Sequence, residues 1–284
     1  MKPLIRIVLL AAAAVLANPT LAAEEPAKIL RIGLTPTVPY DQYQLIEQWR
    51  LYMERKLNRR VEFIRRDSYI ETMDMLRRRK LDYAWICDYP FVYFRSQVRL
   101  LAVPLYQGRP YYRSYLIVPA TNRSTTSIAQ LRGVVFAYTD PYSNTGYLVA
   151  RHQLHQMGEN PAQFFRQTFF TWSHRKAVEA VATGMADGSA VSGHVWDTLT
   201  IVKPELTAAT RIVSKSSEFG FPPLVANPTV PNEEFRNVQK ALLGMASDSK
   251  GKALLKGLNI DGFIAGSPHL YDNVARMMKA VGEK

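Results

Sequence analysis

Val134-Val135-Phe136-Ala137-Tyr138, running directly into Thr139-Asp140-Pro141-Tyr142-Ser143-Asn144-Thr145-Gly146-Tyr147-Leu148, is the stretch that decides the fold. The first five residues are an apolar run of strand length. Ser143 is a good helix N-cap, and the pattern then turns helical over about 143–157. The unit recurs on both sides. Upstream, strands are expected at Ile29-Leu30-Arg31-Ile32-Gly33-Leu34, Val61-Glu62-Phe63-Ile64 and Tyr83-Ala84-Trp85-Ile86. Between them lie a helix capped by Asp41 with Leu45, Ile46, Trp49, Met53 and Leu57 on one face, and a helix capped by Ser68 bearing Ile70, Met73 and Leu76. Downstream, Phe169-Phe170-Thr171-Trp172 predicts a strand and Ala177, Val178, Val181 and Met185 a helix face, with short strands at Ser189-Ala190-Val191 and Arg211-Ile212-Val213. Strands alternating with helices predict parallel sheets covered on both faces.

Arg113-Ser114-Tyr115-Leu116-Ile117-Val118-Pro119 reads as an extended crossing between two such sets, and Pro222-Pro223-Leu224-Val225 as the return. Two amphipathic helices close the chain, one with Phe235, Val238, Leu242 and Met245, the other with Leu270, Val274, Met277 and Val281. The expected architecture is α/β and two-lobed, with a ligand cleft between two doubly wound sheets joined by two crossings. Its divisions are a signal peptide over 1–22, a first lobe over 23–117 completed by 219–284, and a second lobe over 118–218. A ligand in such a fold sits in the cleft, at the carboxyl ends of strands.

Composition narrows the class. With 47% hydrophobic and 21% charged residues in 284, the chain buries a core and is not disordered. One cysteine excludes a disulfide framework and a Cys-built zinc site. The start, Met1-Lys2-Pro3-Leu4-Ile5-Arg6, an apolar run over 7–17 and Thr20-Leu21-Ala22, describes a secretory signal peptide cleaved after Ala22. The run is too short to span a bilayer, and no cysteine follows the cleavage point to take a lipid. A soluble, exported, periplasmic protein is expected. The net charge of +12 and the clusters Arg59-Arg60, Arg65-Arg66 and Arg77-Arg78-Arg79-Lys80 read as solvated helix faces. Export and the lack of a recognition motif argue against nucleic acid.

Two helix starts carry the candidate chemistry. At the Ser143 to Thr145 turn, the hydroxyls of Ser143 and Thr145, the free backbone N–H groups and the positive helix end suit an anion, and Gly146 permits close approach. The same residues also read as a plain cap. At Thr171-Trp172-Ser173-His174, the imidazole can donate to an oxyanion or simply cap a helix. Asp140, Ser143 and His174 contain the residue types of a hydrolytic triad. However, there is no Gly-x-Ser-x-Gly elbow, His-Glu-x-x-His pair or dinucleotide fingerprint, so neither an enzyme nor a metal or organic cofactor is expected.

Tyr112-Arg113-Ser114-Tyr115-Leu116-Ile117-Val118, Asp140 through Leu148, Ser173-His174 with Ala180-Val181-Ala182-Thr183-Gly184-Met185-Ala186-Asp187, Phe219-Gly220-Phe221-Pro222-Pro223 and Asn259-Ile260-Asp261-Gly262-Phe263 occur in this order. Together they resemble the periplasmic phosphate/phosphite/phosphonate-binding proteins (PhnD-like). The resemblance implies a monomeric solute receptor of an ABC importer, with an inner-membrane permease and ATPase as partners, closing on a small tetrahedral oxyanion. Carried over position by position, it assigns Ser143, Thr145 and the backbone of Asn144 to the oxyanion cradle, Asn144 standing where a threonine is usual. It makes His174 a further donor and has Tyr69 and Tyr112 close from the other lobe. Members that bind aminoalkylphosphonates place acidic residues where this chain has His194 and Pro222. An amino-substituted ligand is thus disfavoured, and His194, Trp196 and Phe221 suit a smaller or uncharged substituent. Cys87 lies at the end of the third strand. It reads either as an inert buried thiol or as a soft ligand, since some relatives partner sensor histidine kinases and the arsenite-sensing ones use a cysteine.

Overall fold

The computed structural model describes residues 29–35 and 43–283; the signal peptide over 1–22 and the Asp41 cap lie outside the described residues. In chain order the strands are β1 (Leu30–Leu34), β2 (Val61–Arg65), β3 (Tyr83–Trp85), β4 (Arg99–Leu105), β5 (Tyr111–Tyr112), β6 (Ser114–Pro119), β7 (Val135–Tyr138), β8 (Gln167–Phe170), β9 (Gly188–Ser192), β10 (Thr210–Lys215), β11 (Phe219–Gly220), β12 (Leu224–Ala226) and β13 (Gly262–Ile264).

They form two main sheets. One has the order β13-β4-β12-β3-β1-β2, the other β10-β6-β9-β7-β8, and the short pair β11-β5 lies where the chain passes between them. Both sheets combine the parallel pairing expected from the strand–helix alternation with antiparallel strands. Pairs β1/β2, β1/β3, β7/β8 and β7/β9 are parallel, as the strand–helix units require. Strand β12 runs antiparallel between β3 and β4, and β6 antiparallel between β9 and β10. The physical reason is the crossing itself: a strand arriving from the other lobe has no helical crossover to turn it parallel. The run 113–119, expected as a crossing, is mostly β6 within the second sheet, and the crossings narrow to β5 and β11.

Each sheet buries both faces. In the first lobe, Trp49, Tyr52 and Met53 of the helix Tyr43–Leu57 are buried, and Trp49 meets Trp85 edge-on at 5.8 Å. In the second, Ala177, Val178 and Val181 pack with Ile117 and Val191, while Phe136, Tyr138, Leu154 and Phe164 cluster separately. Met185 lies beyond the end of its expected helix, which spans His174–Ala182, and is exposed. Strand β4 and the helix Ser249–Gly257 are additions to the expected elements. The helix carries two glycines, which mask its period. Gly251 is required there, because a Cβ would sit 2.2 Å from the Met245 carbonyl oxygen.

Candidate functional site

The stretch after β7 is built as a cap on a widened turn. Ser143 has extended backbone angles, and its Oγ accepts from the Gly146 N–H at 3.0 Å. Asn144–Leu148 then forms a π-helical turn, with Leu148 N–H donating to Ser143 O at 3.0 Å, and continues as the α-helix Val149–Gln156. Such turns recur at functional sites because they re-aim side chains. Ser143, Asn144 and Thr145 are completely buried. Thr145 Oγ1 and Asn144 Oδ1 find no hydrogen-bond partner among the described residues. Buried polar atoms are rarely left so.

His174 is the first residue of the helix His174–Ala182. Its Nδ1 accepts from the Ser192 N–H at 3.0 Å. In a neutral ring the proton therefore sits on Nε2, 3.5 Å from Ser143 Oγ and 3.4 Å from Tyr69 Oη. Burial, with a smaller push from His194, lowers its pKa to about 3. His174 is thus a neutral donor at physiological pH. It lacks the order of a triad base: Nδ1 is taken by a backbone donor, and the Asp140 carboxylate accepts from the N–H groups of Tyr69 (3.1 Å) and Tyr142 (2.7 Å) instead.

The first lobe supplies the facing groups. Tyr69 opens the helix Tyr69–Arg77 under the Ser68 cap. Tyr112, on β5, donates its hydroxyl to Asp88 Oδ1 at 2.8 Å and lies 4.0 Å from Cys87 Sγ. Cys87 ends the turn after β3, and burial holds its thiol well above the usual range. It is a protonated thiol that donates to Asp88 Oδ1 at 3.0 Å.

Asp88 itself went unnoticed at the level of sequence. It is fully buried and also accepts from Tyr89 N–H at 3.1 Å and, across the lobes, from Asn144 Nδ2 at 2.7 Å. Burial raises its pKa to about 6 despite these donors. The available signal was an ionisable residue directly after an apolar strand, at the end where ligands sit.

The structure therefore brings Ser143, His174 and Tyr69 into one contact, and Asn144, Tyr112 and Cys87 into another around Asp88. His194 lies against Tyr106 and Phe221, with ring centroids 5.1 and 5.0 Å away, and its Nε2 meets the Leu258 carbonyl of the first lobe at 3.1 Å. Burial lowers its pKa to about 4. Trp196 is committed elsewhere, donating to Thr210 Oγ1 at 3.2 Å.

Residues 32–271 match the family model described as the phosphonate periplasmic substrate-binding protein of ABC transporters. The phosphonates-binding periplasmic protein of Escherichia coli (strain K12) is 25% identical over 254 residues, covering 86% of this chain and 74% of that protein. Among solved structures, the binding protein component of a Pseudomonas aeruginosa ABC phosphonate transporter superposes with a TM-score of 0.81 at 20% identity, over 88% of this chain and 85% of the other. PhnD1 from Prochlorococcus marinus (MIT 9301), in complex with methylphosphonate, gives 0.81 at 19% identity, over 90% and 99%.

Proposed function

The chain belongs to the family of periplasmic phosphonate-binding proteins of ABC transporters, and from that premise we propose that it captures a small tetrahedral oxyanion (phosphate, phosphite or a simple phosphonate) by closing its lobes, without chemistry. One observation carries the reading: the Ser192 N–H fixes the His174 tautomer so that a neutral ring donor points toward Ser143 and Tyr69. Ser143, Thr145 and the backbone of Asn144 form the cradle. Tyr69 and Tyr112 close from the other side, with His194 lining the substituent end beside Phe221. The 1–22 segment exports the chain to the periplasm. There the monomer delivers its ligand to a permease and ATPase. The ligand supplies the differential affinity that holds the closed state.

A thermal-shift panel of phosphate, phosphite, methylphosphonate, 2-aminoethylphosphonate and sulfate tests this. Methylphosphonate or an inorganic phosphorus oxyanion should raise Tm, and Ser143→Ala with His174→Leu should abolish the rise. The strongest shift coming from 2-aminoethylphosphonate would contradict the assignment at His194 and Pro222. The thiol 4.0 Å from the Tyr112 hydroxyl favours one second reading, a sensor-kinase partner responding to arsenite through Cys87. A thermal shift with arsenite that disappears in Cys87→Ser would establish that reading in place of transport.

A further inference from the structure

Resting on the receptor reading above, we propose that Asp88 shares a proton with the bound oxyanion, so that the site accepts tetrahedral anions carrying an acidic O–H and rejects those without one, such as sulfate. The first support is the orientation of an amide. Asp88 Oδ2 is 2.7 Å from the Asn144 side chain, and a carboxylate can only accept, so it takes Nδ2. That leaves Asn144 Oδ1, an acceptor and nothing else, buried at the helix start without a partner among the described residues. A group seated there has to bring a donor.

The second support is the distribution of bonds on the carboxylate. Oδ1 accepts from Tyr112 Oη, Cys87 Sγ and Tyr89 N–H, whereas Oδ2 holds Asn144 alone. The oxygen that touches the cradle residue thus keeps acceptor capacity. All four donors are uncharged. The titratable groups facing Asp88 are Cys87 and Tyr89 on its own segment, Tyr112 on β5, and Tyr271 of the 3₁₀ turn Pro268–Tyr271, whose hydroxyl is held well above its usual range by burial first and by the Asp88 charge second.

An anionic oxygen seated at this helix start, against the Asn144 side chain, is set beside the carboxylate that side chain contacts at 2.7 Å. Two anionic oxygens in a dry site repel, and one proton between them replaces the repulsion with a short charge-assisted hydrogen bond. Hydrogen phosphonate, phosphite and phosphate ions supply that proton near neutral pH, and sulfate does not. Sites built to bond a hydroxyl reject the analogue lacking it by about 10⁴-fold or more.

Calorimetric titration of the mature protein tests the proposal, with methylphosphonate and sulfate in two buffers of different ionisation heat. At about pH 8.5, where free methylphosphonate is mostly doubly charged, binding should take up about one proton per ligand. Sulfate should bind at least about 1,000-fold more weakly. In Asp88→Asn the amide donates for itself. Proton uptake should then fall toward zero, and the preference over sulfate should narrow by about tenfold or more. The wild-type readouts decide the matter if that variant folds poorly. Methylphosphonate binding without proton uptake, or sulfate binding within about tenfold of it, overturns the proton-sharing role and leaves the receptor reading standing. Failure of every oxyanion to bind overturns the receptor reading, and this role with it.

Discussion

Replacing Gly146 by alanine tests whether the turn at the cradle is built by close packing. A Cβ there would stand 1.9 Å from Thr139 Oγ1, 2.6 Å from its Cγ2 and 2.7 Å from its Cβ. Rotating Thr139 about χ1 moves the first two atoms and leaves the third, which is fixed to the backbone. Since carbon contacts settle at about 3.5–4.0 Å, the π-turn and the end of β7 have to part by about 1 Å. Overpacking of this kind costs about 1–3 kcal/mol. The parting also strains the bond from Thr139 N–H to Gly146 O, now 3.3 Å, worth about 0.5–1.5 kcal/mol. Gly146→Ala should therefore lose about 2–4 kcal/mol in urea unfolding. Because Gly146 N–H holds Ser143 Oγ, oxyanion affinity should fall with it. Thr139→Ala removes the two nearest atoms, so the double variant should recover about 1 kcal/mol of that loss. Stability of Gly146→Ala within about 0.5 kcal/mol of wild type, or an unchanged penalty in the double variant, would refute the packing argument.

Three other outcomes follow from the same geometry. His174 and His194 have pKa values depressed to about 3 and about 4, and Asp88 one raised to about 6, all by burial first. Near pH 5 the unfolded chain binds about two protons on these histidines and the native chain about one on Asp88, so stability from these groups rises with pH by about 1.4 kcal/mol per unit. The histidine contribution is complete above about pH 6.5 and is lost as pH falls toward the folded values. Replacing both histidines by asparagine should reverse the slope measured by urea unfolding at stepped pH. Asn144→Asp puts a second carboxylate against Asp88 Oδ2, where the amide nitrogen now stands at 2.7 Å. Two such groups share one proton, so thermal scans should show the loss to be larger at pH 8 than at pH 5. Arg151→Met removes an interlobe ion pair of 2.7 Å to Glu283 whose side chains are about a quarter exposed. It should cost no more than about 1 kcal/mol in the same unfolding assay.

How much of this was legible beforehand depended on the range of the interaction that fixes each feature. Caps and strand-to-helix junctions are local, and Ser68, Ser143 and the strand before each could be read from neighbours in sequence. The antiparallel entry of β12 and β6 could not, because its cause is a partner far along the chain, as in Leu224 against Trp85 and Ser114 against Ser192. The helix Ser249–Gly257 was masked by glycines whose purpose, clearance for the Met245 carbonyl, exists only in three dimensions. Asp88 was missed for a related reason. Beside Cys87 and Pro90 it looks like a turn residue, and its meaning comes from Tyr112 and Asn144, 24 and 56 positions on.

The same contrast bears on how selectivity arises in this fold. With Ser143, Thr145 and His174 as the proposed cradle, their donors would greet any tetrahedral oxyanion, because backbone N–H groups, hydroxyls and a neutral imidazole respond to charge and not to the identity of the central atom. His174 cannot sharpen the choice: held at Nδ1 by Ser192 and stripped of basicity by burial, it donates the same proton across the physiological range. Discrimination has to come from groups that accept. Under the proton-sharing proposal those are Asp88 Oδ2 and Asn144 Oδ1, where a ligand without a hydrogen to give would pay the desolvation of a buried acceptor, about 1–3 kcal/mol and more where charge is involved. Under the proposed assignment, the second lobe and the histidine set how tightly an anion is held, and the acid at the end of β3 sets which anion it is.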